Sequence, residues 1–333
     1  MKPSFMKPII LALVMSCAGA AAQAQDLKSF KMGISAPVVT VLPVWLGEAG
    51  GFFAKQGLKV ETVSMEGGSR GTQVLLSGEI QAMHVGLAPV VQANVQGADL
   101  RAVAASANKM PMTVFTAKKL EPALPKGIKI GISTFGSETD IALSILLPKL
   151  GMTRNDVEIT QIGGTGQRFA ALVAGRIDAA PLLEPGVSQA KVRGFIPVFD
   201  LSAEGGDWIF DAVVMTAPYI KANRDSALKF TRGYIEGARW GLANEAELRK
   251  VIALRFKTQD QAVIDATVAE FRKLMPLDGR PSVDGAQTVI KELAAIQVPV
   301  KSRNVDDYLD LSLIADLEKE GFLAGLNKTY GGK

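Results

Sequence analysis

The chain is 333 residues long, 48% hydrophobic and 21% charged, with 37 basic against 33 acidic side chains, one His and one Cys. That much apolar material excludes a disordered chain and supports a sizeable core. One His and one Cys leave too little for a zinc site or His-dependent nucleophilic catalysis, and dispersed Lys and Arg form no basic stripe for nucleic acid.

The chain opens with Lys2 and Lys7, then an almost wholly apolar run from Ile9 to Ala22 that ends in Ala22-Gln23-Ala24. A basic start, a short apolar core and small residues at the two positions a signal peptidase reads predict a secretory signal peptide over residues 1–24. The run is shorter than the roughly 20 residues that span a bilayer. Lipoprotein processing at Cys17 is the minor alternative, because Met15 fits a lipobox poorly. Removing the leader lowers the formal charge from +4 to +2 and takes the only Cys with it. The expected product is exported, periplasmic in a bacterium, and free of disulfides.

Downstream, one pattern is written twice, about 97 residues apart. Lys31-Met32-Gly33-Ile34-Ser35 returns as Lys129-Ile130-Gly131-Ile132-Ser133, and Gly67-Gly68-Ser69 as Gly163-Gly164-Thr165. Leu75-x-x-Gly78-x-Ile80-x-Ala82 returns as Leu172-x-x-Gly175-x-Ile177-x-Ala179, and Pro89 as Pro185. Each copy alternates strand and helix. Strands are predicted over 30–35, 58–64 and 80–85 in the first copy, and over 129–133, 157–162 and 177–180 in the second. Helices are predicted over 43–56 and 72–76, over 137–150 and 168–173, and near Pro89 and Pro185.

Segments 112–116 and 211–216 read as strands that follow each copy. From Asp225 onward the pattern turns helical, with Ala227, Phe230, Tyr234 and Ala238 on one face. The fold class is therefore α/β, with two parallel, doubly wound lobes and a hinge of two crossing segments. Lobe one is expected over 25–115 and 215–333, including a helical C-terminal tail, and lobe two over 116–214.

Ligands bind beyond the carboxyl ends of such strands, so the repeat nominates loops in pairs across one cleft. Ser35 and Ala36 face Ser133 and Thr134; Ser69, in Gly67-Gly68-Ser69, faces Thr165; Leu87 and Ala88 face Leu183 and Glu184. Thr134, Gly136, Ser137, Glu138 and Thr139 form a small-residue loop entering a helix, whose free N–H groups suit an anion. Ser137 could equally be an ordinary cap, and first-turn acids such as Glu138 usually face water. Trp45 could stack on a ligand or fill the core of lobe one. Glu184 could hydrogen-bond a ligand or cap a helix. Trp208 stands near the return crossing, and His84 reads as a half-buried strand residue. Gly163-Gly164-Thr165-Gly166-Gln167-Arg168 lacks the Gly-Lys-Ser/Thr ending of a phosphate loop.

The stretches Pro43 to Val60 (PVWLGEAGGFFAKQGLKV), Leu76-Ser77-Gly78-Glu79-Ile80, Gly97-Ala98-Asp99-Leu100, Ile132 to Asp140 (ISTFGSETD) and Gly175 to Ala180 (GRIDAA) carry a further signal. Together they resemble the nitrate/sulfonate/taurine-type ABC transporter periplasmic solute-binding proteins over about residues 30–215. The resemblance implies a type II periplasmic-binding fold. It implies a small-molecule ligand and delivery to ABC permease membrane subunits; composition and the failed motifs, for their part, lead us to expect no cofactor, metal or nucleic acid. Contacts are implied from the first strand–helix loop, the loop before Pro89, the Gly136-Ser137 helix start and the loop before Pro185. Glu184 departs from the small, apolar or proline residue of the family pattern. A sulfonate- or carboxylate-like anion is the expected ligand, and a pyrimidine-type vitamin precursor the alternative if Glu184 faces the cleft. An enzyme on the same fold and a ligand-sensing subunit are the rivals from other classes, and a monomer is the expected state.

Overall fold

The computed structural model describes residues 26–204 and 206–331. The expected signal peptide, with Cys17, lies outside them. The first repeat forms β1 (Lys28–Ile34), α1 (Leu42–Ala49), α2 (Phe52–Lys55), β2 (Leu58–Ser64), α3 (Gly68–Ser77), β3 (Ala82–Val85), α4 (Leu87–Val95) and β4 (Leu100–Ala107). The second unit comprises β5 (Thr113–Thr116), β6 (Lys129–Ile132), α5 (Glu138–Lys149), β7 (Glu158–Gln161), α6 (Thr165–Val173), β8 (Ala179–Leu182), α7 (Gly186–Val192) and β9 (Ile196–Asp200). The helix expected over 43–56 is two helices, because Gly50-Gly51 ends α1 and Gly51 takes φ +70°, which favours glycine. Return strand β10 (Asp211–Thr216) leads into α8 (Ala217–Ala222), α9 (Arg224–Ala243), α10 (Glu245–Arg255), α11 (Gln261–Leu274), α12 (Val283–Ala295), α13 (Ser312–Lys319) and α14 (Phe322–Tyr330).

Two five-stranded sheets result, ordered β2-β1-β3-β10-β4 and β7-β6-β8-β5-β9. The orders are the same once each repeat is aligned, as the sequence repeat requires. The sheets are mixed rather than wholly parallel. β10 runs antiparallel to β3 and β4, and β5 antiparallel to β8 and β9. A strand that enters a sheet directly from the other lobe, with no crossover helix, arrives in the opposite sense. Edge strands β4 and β9 have no counterpart among the predicted elements.

The chain passes between sheets over 108–112 and, in the described residues of the return, over 201–204 and 206–210. Both passages are held at Asn108. Its carbonyl accepts from Trp208 N at 2.9 Å, its Nδ2 donates to Arg280 O at 2.9 Å, and its Oδ1 accepts from Ser282 N at 3.0 Å. Ser282 also caps α12, so the tail is anchored on the hinge. Farther along, α11 packs on α7 of lobe two. No helix of the described residues is long and apolar enough to cross a membrane.

The tail completes lobe one through α9, which lies across α1. Phe230 stacks on Phe30 with centroids 4.4 Å apart and on Phe53 at 5.1 Å. Gly233, Gly237 and Gly241 let the two backbones approach. A Cβ on Gly237 would lie 2.3 Å from Gly47 N. Gly237→Ala is therefore expected to lower the unfolding free energy by about 1–3 kcal/mol in urea titrations, since backbone atoms must move. Gly325→Ala, on α14 with nothing within 4 Å of the added carbon, should be neutral or stabilising.

Candidate ligand-binding site

The carboxyl ends of β1, β3, β6 and β8 face one another across the space between the lobes, which is closed. Ser69 Oγ of lobe one donates to Phe135 O and accepts from Thr134 Oγ1, both at 2.8 Å. Gln92 Nε2 donates to Gly136 O at 2.9 Å, and Val39 N to Glu184 O at 3.0 Å. Close approach is possible because Gly67 meets Thr134 and Gly164 meets Ala36 without side chains of their own.

Enclosed by this seam is a cavity of about 50 Å³. Ser35, Ala36, Gly68, Val85, Gly86, Phe210 and Asp211 line it from lobe one and the return crossing. Lobe two supplies Ser133, Ser137, Glu138, Thr139, Gly164, Thr165, Arg168 and Leu183. Its size suits a compact molecule rather than the 300–1,000 Å³ typical of larger ligands.

Three hydroxyls make the floor on lobe two. Ser133 Oγ and Ser137 Oγ are 2.8 Å apart, and each lies about as close to Thr139 Oγ1, at 3.0 and 2.9 Å. Ser137 makes no side-chain capping bond to α5. Its hydroxyl is committed to this ring; the Asp140 N–H bonds Ser137 O at 3.0 Å, which leaves the first-turn N–H groups of Glu138 and Thr139 open.

Arg168 stands beside them, 2% exposed. Its Nε donates to Pro181 O at 3.0 Å, Nη1 to Gly163 O at 2.5 Å and Nη2 to Thr165 Oγ1 at 3.1 Å. These neutral acceptors orient the guanidinium and leave N–H donors over. Among the described residues no carboxylate lies within ion-pair distance of it. Burial pulls its pKa down to about 9.

Glu138 is the second buried ionisable group on lobe two, 7% exposed. Contrary to expectation for a first-turn acid, it faces inward. Oε1 accepts from Ala88 N and Oε2 from Trp208 Nε1, both at 2.9 Å. Burial raises its pKa to about 8; the two N–H donors pull it back and nearby Asp211 adds to the rise. Asp211 Oδ2 accepts from Thr40 Oγ1 at 2.5 Å, and His84 Nδ1 lies 3.0 Å from Asp211 Oδ1. His84 is fully buried, not half-buried, and its Nε2 meets Ser106 Oγ at 3.1 Å and Tyr234 Oη at 3.2 Å. This Ser–His–Asp line runs through the interior of lobe one. Ser106 is buried and does not line the cavity, so its hydroxyl is not presented to a ligand.

Of the nominated residues, Ser35, Ala36, Gly68, Ser133, Ser137, Glu138, Thr139, Thr165 and Leu183 line the cavity. Ser69, Thr134, Gly136 and the Ala88 amide form the seam between lobes instead, and Leu87 is buried in the core of lobe one. Two expectations are corrected. Trp45 packs inside lobe one, edge-on to Phe256 at 5.5 Å, with its Nε1 toward Thr62 Oγ1 and Arg255 over its ring, because α1 turns that face to α10. Glu184 caps α7, accepting from Ser188 N at 3.1 Å and Ser188 Oγ at 2.8 Å, and burial raises its pKa. Arg168, Asp211 and Phe210 were not nominated. The only trace of Arg168 was the failed phosphate-loop pattern ending on it. Pairing of Asp211 with His84 spans 127 positions of chain and leaves no local signal.

The sequence pattern of the family described as NMT1/THI5 like matches residues 39–247. A solved protein of Bordetella bronchiseptica RB50 superposes with TM-score 0.79 at 23% identity, over 92% of this chain and 99% of that one. The alkanesulfonate-binding protein SsuA of Xanthomonas axonopodis pv. citri, solved with MOPS, gives TM-score 0.67 at 20% identity, over 84% and 96%. The Bacillus subtilis (strain 168) protein YtlA, named as a binding protein, is 20% identical over 78% of this chain and 80% of its own length.

With Glu184 acting as a cap, Glu184→Ala should cost about 1 kcal/mol of unfolding free energy. Glu184→Gln can still accept from Ser188 N and donate to its hydroxyl, and should cost much less. Thermal unfolding of the two variants beside the parent distinguishes a capping side chain from one that serves the cleft.

Proposed function

The chain belongs to the NMT1/THI5-like family, and on that premise we propose that it is the exported solute-binding component of an ABC importer, closing its lobes on a compact organic anion. Arg168 carries this reading: a buried guanidinium lining the cavity between the lobes, held by neutral oxygens and, among the described residues, with no carboxylate in ion-pair distance. A buried cation of this kind is costly until an anion joins it. The open first turn of α5 and the hydroxyl ring add donors aimed at the same space. Hydroxyls now bonded to one another can turn to an arriving acceptor without moving the backbone.

A sulfonate or a carboxylate fits this donor set. The alkanesulfonate-binding protein of the same fold supports the first of these. Glu184 no longer supports a pyrimidine-type ligand, because its carboxyl serves α7. The expected signal peptide and the two-lobed fold support delivery to a permease at the membrane. Permease and ATPase genes found beside this one would favour import over sensing.

Thermal-shift and calorimetric titration against ethanesulfonate, MOPS, acetate and a pyrimidine tests the ligand class. Saturating anion should raise the melting temperature, at 100 Kd by the equivalent of about 2.7 kcal/mol. Arg168→Gln is expected to weaken the anion about 10- to 100-fold, and Ser137→Ala about fivefold. Stabilisation by the pyrimidine alone, unaffected by Arg168→Gln, would sink the anion reading.

A further inference from the structure

Glu138 belongs to lobe two, yet both its oxygens are bonded outside that lobe. Oε1 takes the N–H of Ala88 at the start of α4 in lobe one, and Oε2 takes the indole N–H of Trp208 in the return crossing. Its stem lies where a Cβ on Gly86 would stand, 2.1 Å from Oε1 and 2.4 Å from Cδ. Only glycine at that position lets the carboxyl in. Both partners are donors, so both oxygens must accept, and an amide in place of the carboxyl would turn its NH₂ against one of them.

The charged groups that share its surroundings are few. Asp211 at the start of β10 lines the same cavity, with His84 Nδ1 of β3 3.0 Å from its Oδ1. Arg168 of α6, on lobe two like Glu138, lines the same cavity. On its own helix, Asp140 is committed to Arg154 at 2.7 Å. The first turn of α4 carries no ionisable side chain. Parting of the lobes would take the Ala88 N–H away from Glu138 and open its carboxyl to water. Closure moves it from water into a seam that already holds Asp211.

We propose that Glu138 is a positioning residue that couples lobe closure to proton uptake, the lobes closing on its protonated carboxyl and reopening as it ionises. A protonated oxygen still accepts its N–H bond with a remaining lone pair and directs its own proton into the cavity, toward a bound anion. The proton comes from solvent and returns there on opening. Burial first, then Asp211, puts the closed-state pKa at about 8, against 4.5 for the group in water. Protonation therefore favours the closed form fully below the open-state value. That advantage falls about tenfold per pH unit between the two values and is gone above the upper one.

This coupling goes beyond the anion reading, and its first test needs no ligand. Small-angle scattering of the mature, ligand-free protein from pH 5 to 9 should show the radius of gyration rising with pH. Glu138→Gln cannot ionise and should remove the pH dependence, whichever form it favours. Gly86→Ala, which evicts the carboxyl from the seam, should hold the protein open throughout. A flat profile in the parent protein, or the parent's profile retained in Glu138→Gln, overturns the proposal. A second readout uses ethanesulfonate, titrated calorimetrically at pH 7 in buffers of different ionisation enthalpy. Near one proton should be taken up per molecule bound, and none in Glu138→Gln. Failure of ethanesulfonate to bind counts against the sulfonate ligand, while the scattering still decides the coupling.

Discussion

A guanidinium taken out of water loses several kcal/mol of hydration, and the protein recovers that only with well-placed acceptors or a matching charge. Arg168 has the acceptors but not the charge. The Gly163 carbonyl and Thr165 hydroxyl of its own loop and the Pro181 carbonyl of β8 fix its plane, so the cation is rigid before anything arrives. Much else follows from this placement. The loop that supplies Gly163 and Thr165 needs glycine at 163, with φ +109°, to turn its carbonyl onto Nη1. Lobe one must close near enough to keep water out, which demands the bare backbone of Gly164 against Ala36. The hydroxyl ring then supplies neutral, reorientable donors where a further cation would have raised the desolvation cost.

The cleft exists because the two lobes are built alike and joined twice. Equal strand order places the carboxyl ends of four parallel strands on the facing edges of both sheets. The antiparallel strand in each sheet is the one that comes straight from the other lobe. Its insertion beside the parallel core ties both sheets to the crossings, so a hinge movement there moves each sheet as a body. Asn108 and Ser282 fasten those crossings to α12. Trp208 lies in the same crossing and reaches Glu138, which gives the hinge a direct bond to the cavity wall.

Much of this architecture was legible in the amino-acid sequence. The repeat revealed two lobes, and apolar patterning placed eight of the ten described strands and the helices between them. What escaped notice has physical causes. β4 (Leu100–Ala107) is rich in alanine and buried on both faces, so it shows no alternation. β9 (Ile196–Asp200) is half-exposed and carries a proline at an edge, where a missing N–H is tolerated. Antiparallel insertion is a property of the whole sheet and has no local signature. Within the site, position along the chain predicted which loops meet. It did not predict which way each side chain turns, and Trp45 shows the difference: it sits on a helix beside the cleft and faces α10.

Glu138 and Glu184 make the same point through one residue type. Each is an acid at the start of a helix in lobe two, each is buried, and burial raises the pKa of both. Glu184 finds its donors at Ser188, within its own helix, and is satisfied whether the lobes are open or closed. Glu138 finds its donors on the other lobe and the hinge, through a gap that a single glycine leaves. The first therefore contributes to the stability of one helix, and the second to the equilibrium between conformations. No propensity or motif separates them, because the deciding atoms are N–H groups some 50 and 70 residues away. A carboxyl becomes part of a moving mechanism when its partners belong to the body that moves.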